Sequence, residues 1–207
     1  MKIPLPQKLP SKIVAVGRNY AEHAKELGNE APAEPIIFLK QPSTVLKPGG
    51  TIVRPPQSQR VDFEAELAIV ISKRARNIPA AQWRDVVLGF TCANDVTARD
   101  LQKKDVQFTR AKSFDTFCPL GPHIESDLDP SDLAITTRVN GEIKQNSRTS
   151  KMIFDCPTIV EFITSIMTLE AGDVILTGTP AGVGPLSSGD AVEVEIEGIG
   201  TLRNVVA

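Results

Sequence analysis

Two carboxylates one residue apart are the first chemistry in this chain. They lie in Val61-Asp62-Phe63-Glu64-Ala65-Glu66-Leu67-Ala68-Ile69-Val70-Ile71, whose apolar, β-branched end predicts a strand. Side chains at i and i+2 on a strand share a face, so Glu64 and Glu66 are neighbours, and Asp62 joins that face by alternation. Carboxylates held this close repel unless a cation, a proton or an arginine lies between them. They can be left in water, as ordinary surface charge, or they can hold a hard metal ion. Asp95, at the end of the apolar run Gly89-Phe90-Thr91-Cys92-Ala93-Asn94, is a candidate third ligand, although spacing alone does not place it beside the pair. The chain has two histidines, His23 and His123, so a zinc site is poorly supplied, and an oxygen ligand set suits Mg²⁺, Mn²⁺ or Ca²⁺.

Three other groups could take part. His23 and Glu26 are three apart on a short helix, Tyr20 to Leu27, that Asn19 is expected to cap. A carboxylate beside an imidazole orients it as a general base; an exposed helix pair is the plainer alternative. Arg99 and Gln102 share a face of a helix, Ala98 to Lys104, with Thr97 as its expected cap, and Lys112 follows. These could neutralise the carboxylates, bind an anion, or be surface charge. The loop Gly178-Thr179-Pro180-Ala181-Gly182-Val183-Gly184 has no Lys after its glycines and opens no helix. It is therefore neither a phosphate loop nor a dinucleotide fingerprint. As a tight loop at a strand end it can offer Thr179 and backbone N–H groups to a ligand, or it is only a turn. His123 reads as structural.

The elements that must position these groups are mostly strands. Short apolar runs at 13–16, 36–40, 51–53, 61–71, 89–96, 133–139, 143–145, 173–176, 191–196 and 201–206 are punctuated by Pro and Gly, which argues against a regular βαβ array. Asn140-Gly141 is the strongest hairpin signal. Helices are expected at 80–87 and from Pro157 to about Leu169. Prolines 4, 6 and 10 make residues 1–12 an extended arm before one domain over 13–207. With 41% hydrophobic and 23% charged residues, the composition is that of a soluble globular protein. A net charge of -2 offers nothing to nucleic acid or to a membrane surface. Three widely spaced cysteines and an N-terminus without an apolar leader imply reduced thiols in a cytoplasmic protein.

Taken together, four stretches resemble the fumarylacetoacetate hydrolase family. They are Asp62-Phe63-Glu64-Ala65-Glu66-Leu67-Ala68, Asn94-Asp95-Val96-Thr97-Ala98-Arg99-Asp100-Leu101-Gln102, Ala111 to Pro122, and Leu176 to Gly184. Val16-Gly17-Arg18-Asn19-Tyr20-Ala21-Glu22-His23-Ala24-Lys25-Glu26 is similar to the acylpyruvate hydrolase and oxaloacetate decarboxylase branch. The resemblance implies an α+β, strand-rich roll or sandwich with flanking short helices, and a homodimer. It implies Glu64, Glu66 and Asp95 as ligands of Mg²⁺ or Mn²⁺. It places Arg18, Arg99, Gln102, Lys112 and Thr179 around a 2-oxo acid substrate and makes His23 with Glu26 a water-activating dyad. Asp62 falls outside the matched ligand positions. Two departures, Gln41 between Lys40 and Pro42 and Phe108 where a tryptophan is common, bear on pocket shape.

The implied reaction is hydrolysis of the C3–C4 bond of a 2,4-dioxo acid (an acylpyruvate) to pyruvate and a carboxylic acid. His23, oriented by Glu26, activates water, and Lys112 helps stabilise the pyruvate enolate that leaves. Decarboxylation of oxaloacetate gives the same enolate without water. Isomerisation or tautomerisation of unsaturated 2-hydroxy or 2-oxo acids needs the same ion and an acid/base. A metal-stabilised scaffold is the non-catalytic alternative, and it has no use for His23, Glu26, Arg99, Gln102 and Lys112 together.

Overall fold

The Ala65–Ile71 strand is the middle of the molecule. In the computed structural model, which describes residues 1–207, all seven of its side chains are buried, as expected for a strand covered on both faces. It pairs antiparallel with Val87–Asn94 on one side and Val174–Leu176 on the other. Beyond Val174–Leu176 the sheet continues through Ile13–Gly17 to Ile36–Lys40. Beyond Val87–Asn94 it continues through Cys118–Glu125 to Lys2–Ile3. The extended arm is thus tied down at its start as an edge strand.

A second sheet runs in the order Glu142–Arg148, Ala134–Val139, Ala191–Ile196, Gly200–Val206, Thr51–Ile52. The main core lies between the two sheets. Leu67, Ile69 and Phe90 come from the first; Ile135, Val194, Ile196 and Leu202 come from the second; Ile159, Val160 and Ile163 come from the helix Cys156–Ile166. Burying each such side chain contributes about 1.5–3 kcal/mol. The architecture is the strand-rich α+β sandwich expected from the sequence. The Asn140-Gly141 turn forms as read, with both residues at positive φ (+53° and +82°), the combination a type I′ hairpin requires. The returning strand carries Gln145 into the interior. Cys92, Cys118 and Cys156 are free and buried, and burial pushes each thiol up to about 12.

Several expected elements differ. The run from Val61 to Ile71 is two strands, not one. Val61–Phe63 belongs to a small sheet with Thr97–Ala98 and Gly184–Pro185. Ala65–Ile71 belongs to the large one, and Glu64 is the residue at which the chain changes sheet. That break takes Asp62 off the face it would share in an unbroken strand. Residues Ala80–Val86 form a 3₁₀ helix. Neither expected side-chain cap forms on the short helices. Thr97 is in a strand and donates its hydroxyl to the Asp95 carbonyl at 2.8 Å, so the helix starts at Arg99. Asn19 is used for tertiary contacts, leaving Tyr20 to precede the helix Ala21–Glu26. The helix read from Pro157 starts at Cys156, with Asp155 accepting from the Thr158 N–H at 3.0 Å, and ends at Ile166. No helix is long and apolar enough to cross a membrane.

Candidate active site

Glu64, Glu66 and Asp95 converge, although they come from two separate segments. Strand register brings them together: Ala65 pairs with Asn94, so the residues just before one strand and just after the other are adjacent. The two ends are laced by Asp95 N–H to the Glu64 carbonyl at 2.8 Å and Glu64 N–H to Asn94 Oδ1 at 2.9 Å. The three carboxylates are buried, and one oxygen of each lies within 4.8 Å of the others. Three hard oxygen donors at this spacing fit a divalent ion such as Mg²⁺ or Mn²⁺.

The surrounding charges sharpen that fit. Lys112 Nζ bridges Glu64 Oε2 at 2.7 Å and Asp95 Oδ2 at 2.5 Å. Lys40 Nζ holds the other Asp95 oxygen at 2.6 Å. Arg99 binds Glu64 Oε1 at 2.5 Å, Asp62 Oδ2 at 2.9 Å and Gln102 Oε1 at 2.6 Å. Asp62, which also takes Arg60 at 2.8 Å, is therefore an anchor for Arg99 and not part of the cluster. Four buried carboxylates thus face three buried cations. The carboxylate left without a cation is Glu66, whose hydrogen bond comes from the Gly178 N–H at 2.5 Å. Burial, then Asp95 and Glu64, push its carboxyl well above the ordinary range. Burial also opposes ionisation of Glu64, but Lys112 and Arg99 outweigh it and hold that group low. For Lys112, burial is outweighed by Asp95 and Glu64, and its ammonium is held charged. A buried carboxylate with no cation of its own, beside two others, is where a bound cation would complete the charge balance.

The His23 helix folds against this cluster. His23 is buried, and its Nδ1 lies 3.1 Å from Glu26 Oε2. Glu26 Oε1 accepts the Gly182 N–H at 3.0 Å, which pins the helix to the loop after Val174–Leu176. At the start of that loop Gly178 has φ +99°, and a Cβ there would lie 2.7 Å from the Asn19 Cβ, so close approach requires glycine. Asn19 itself joins three segments. Its Nδ2 donates to the Thr177 carbonyl at 2.7 Å and the Phe154 carbonyl at 2.9 Å, and its Oδ1 accepts the Phe154 N–H at 2.8 Å. Asn19→Ala strands these backbone groups and is expected to cost about 3 kcal/mol, read as a lowered urea midpoint at unchanged slope.

These residues line a cavity of about 270 Å³. Its walls hold Glu64, Glu66, Asp95 and Lys112 beside His23, Arg18, Arg99, Gln102 and Thr179, with Leu27, Phe38 and Phe108 as the apolar side. All the candidate residues read from the sequence except Glu26 line it, and Glu26 reaches it through His23. Phe38 and Phe108 meet edge to face at 5.4 Å between centroids. Arg18 makes no ion pair within the chain and sits at φ +57°, a strained conformation for a side-chain-bearing residue. Arg99 has committed three of its N–H donors within the protein, which makes it a holder of Glu64 and Gln102 first.

Two buried residues of this region escaped the sequence reading. Lys40 closes an apolar strand and reads like a solvated end. Yet it shares a face with Phe38 by the same i, i+2 rule that paired the glutamates. Gln145, on a hairpin strand, gave no local signal.

The chain is 48% identical over 197 residues to the oxaloacetate decarboxylase, mitochondrial, of Dictyostelium discoideum, covering 92% of this chain and 90% of that protein. The structure of the 5-carboxymethyl-2-hydroxymuconate delta-isomerase from Mycobacterium smegmatis is 51% identical and superposes with a TM-score of 0.91, covering 100% of this chain and 81% of that one. The fumarylpyruvate hydrolase from Pseudomonas aeruginosa, in complex with Mn²⁺ and pyruvate, is 30% identical with a TM-score of 0.92 over 100% of this chain and 95% of that one. The family model for the fumarylacetoacetate (FAA) hydrolase C-terminal domain matches residues 12–207. The chain belongs to the fumarylacetoacetate hydrolase family.

Proposed function

We propose that this protein is a divalent-metal-dependent hydrolase of 2,4-dioxo acids, cleaving an acylpyruvate to pyruvate and a carboxylic acid. The observation that carries the reading is His23, buried at the wall of the carboxylate cavity with its Nδ1 against the partly exposed Glu26. Glu26, an acceptor, keeps the proton on Nδ1, which leaves Nε2 as the basic nitrogen and suits it to take a proton from water. Mg²⁺ or Mn²⁺ on Glu64, Glu66 and Asp95 (Ca²⁺ fits the same donors) supplies Lewis-acid stabilisation of developing negative charge. Lys112, held charged beside that cluster, adds to it at the enolate oxygen of the departing pyruvate. Gln102, Thr179 and Arg18 offer donors to the substrate oxygens, and Leu27, Phe38 and Phe108 suit its acyl group.

Decarboxylation of oxaloacetate is a second reading, favoured by the 48% identity to a protein of that name. It shares the enolate but needs no attacking water. The test is an assay of acylpyruvates, oxaloacetate and unsaturated 2-oxo dicarboxylates with Mg²⁺ or Mn²⁺. Acylpyruvates are expected to turn over fastest with stoichiometric pyruvate. A flat response across the panel would sink the enzyme reading, and turnover of oxaloacetate alone would replace hydrolysis by decarboxylation.

A further inference from the structure

Gln145 lies outside the cavity wall, on the Glu142–Arg148 strand of the second sheet, and is fully buried. Its amide makes four hydrogen bonds. Oε1 accepts the Ala65 N–H at 3.0 Å and the Thr137 hydroxyl at 2.7 Å. Nε2 donates to the Pro180 carbonyl at 2.8 Å and to Thr179 Oγ1 at 2.8 Å. Two of these partners have no choice of role: a backbone N–H only donates and a carbonyl only accepts. They fix which end of the amide is oxygen, so the end facing Thr179 is NH₂. Thr179 Oγ1 must then be the acceptor in that bond. Its own proton has no acceptor within the protein, and Thr179 lines the cavity.

We propose that Gln145 is a positioning residue that fixes the Thr179 hydroxyl as a hydrogen-bond donor into the cavity, selecting ligands that present an acceptor oxygen there, a carboxylate or an oxo group. This rests on the proposed 2-oxo acid function and adds the direction of one of its substrate contacts. The same amide also holds Ala65, between Glu64 and Glu66, so one side chain of the second sheet ties the carboxylate segment to the loop that bears Thr179.

The test is calorimetric binding of pyruvate to the Mn²⁺-loaded protein, with Mn²⁺ affinity measured alongside. Thr179→Val is expected to weaken pyruvate by at least about tenfold, the worth of a hydrogen bond to a charged group, while Thr179→Ser binds as wild type. Gln145→Met is expected to weaken pyruvate severalfold in the wild-type background and to add nothing to Thr179→Val, the non-additivity of residues acting as one unit. A merely structural role for Gln145 would give the same loss in both backgrounds and overturns the proposal. If Gln145→Met does not fold, the Thr179 pair decides: unchanged pyruvate affinity in Thr179→Val overturns it too. Wild-type protein that binds Mn²⁺ but no pyruvate defeats the functional reading and this one together; normal wild-type binding with an indifferent Thr179→Val defeats this one alone.

Discussion

Removing divalent ions with a chelator is expected to abolish turnover, by about a thousandfold or more, and Mg²⁺ or Mn²⁺ to restore it. The physical basis is the charge arrangement around Glu66. Its neighbours Glu64 and Asp95 have Lys112, Arg99 and Lys40, whereas Glu66 has only the Gly178 N–H. Burial and two nearby carboxylates raise its folded pKa. A carboxyl whose pKa is raised on folding binds more protons folded than unfolded, so stability falls as pH rises from the ordinary carboxylate value through the raised one. Metal-free protein should lose stability across that window, and added ion should raise the melting temperature most above it. Above that window Glu66→Gln removes the uncompensated charge. It should stabilise the metal-free protein by about 1–2 kcal/mol while lowering ion affinity and activity together. Activity that survives excess chelator, or a Glu66→Gln protein that binds Mn²⁺ as well as wild type, would rule out this cluster as the ion site. A scaffold, by contrast, would show the loss of melting temperature with no turnover to lose.

How far the site could be read from sequence depended on whether its signal was local. Glu64 and Glu66 follow from the two-residue period of a strand, and His23 with Glu26 from the three-to-four-residue reach of a helix. The Asn140-Gly141 hairpin is equally local. Asp95 required a register, Ala65 opposite Asn94, that no spacing rule supplies; only the order of the four matching stretches pointed to it. Asp62 misleads for the complementary reason. Alternation assumes an unbroken strand, and the chain changes sheets at Glu64. Thr97 gives up its cap role to a local bond, its hydroxyl donating to the Asp95 carbonyl two residues back, and Asn19 to three bonds with distant backbone groups. A cap is worth about 1 kcal/mol, less than three tertiary hydrogen bonds. Nothing local marked Lys40 or Gln145 as buried, although alternation puts Lys40 on the face of Phe38. A lysine at a strand end and a glutamine on a hairpin are ordinary surface residues until the fold buries them. Buried polar groups such as Asn94 and Asn19 bond partners 30 and 158 residues away in the chain.

His23→Ala should separate the reactions that this cavity could run. Hydrolysis of an acylpyruvate needs a base for water; loss of oxaloacetate's carboxylate does not. Both leave the pyruvate enolate beside Lys112. The variant is therefore expected to lose hydrolysis by about 10²–10⁴-fold, the usual contribution of a general base, with the loss in kcat and little change in KM. Oxaloacetate decarboxylation should persist within about tenfold, since no proton transfer from water limits it. Mn²⁺ affinity should stay near wild type because His23 is not among the three clustered carboxylates that would hold the ion. Glu26→Gln gives an independent check. The amide has one acceptor oxygen where the carboxylate has two, so it can accept the Gly182 N–H or the Nδ1–H but not both, and it removes the negative charge that stabilises an imidazolium. Its hydrolysis should fall less than that of His23→Ala, by about 10–10²-fold, with no change in urea midpoint beyond that expected of a partly exposed pair. If acetylpyruvate is cleaved near the wild-type rate in His23→Ala, the dyad is not the base. If both reactions collapse together, with ion affinity intact, His23 serves a step they share, such as protonation of the enolate, and its assignment moves from activating water to handling that proton.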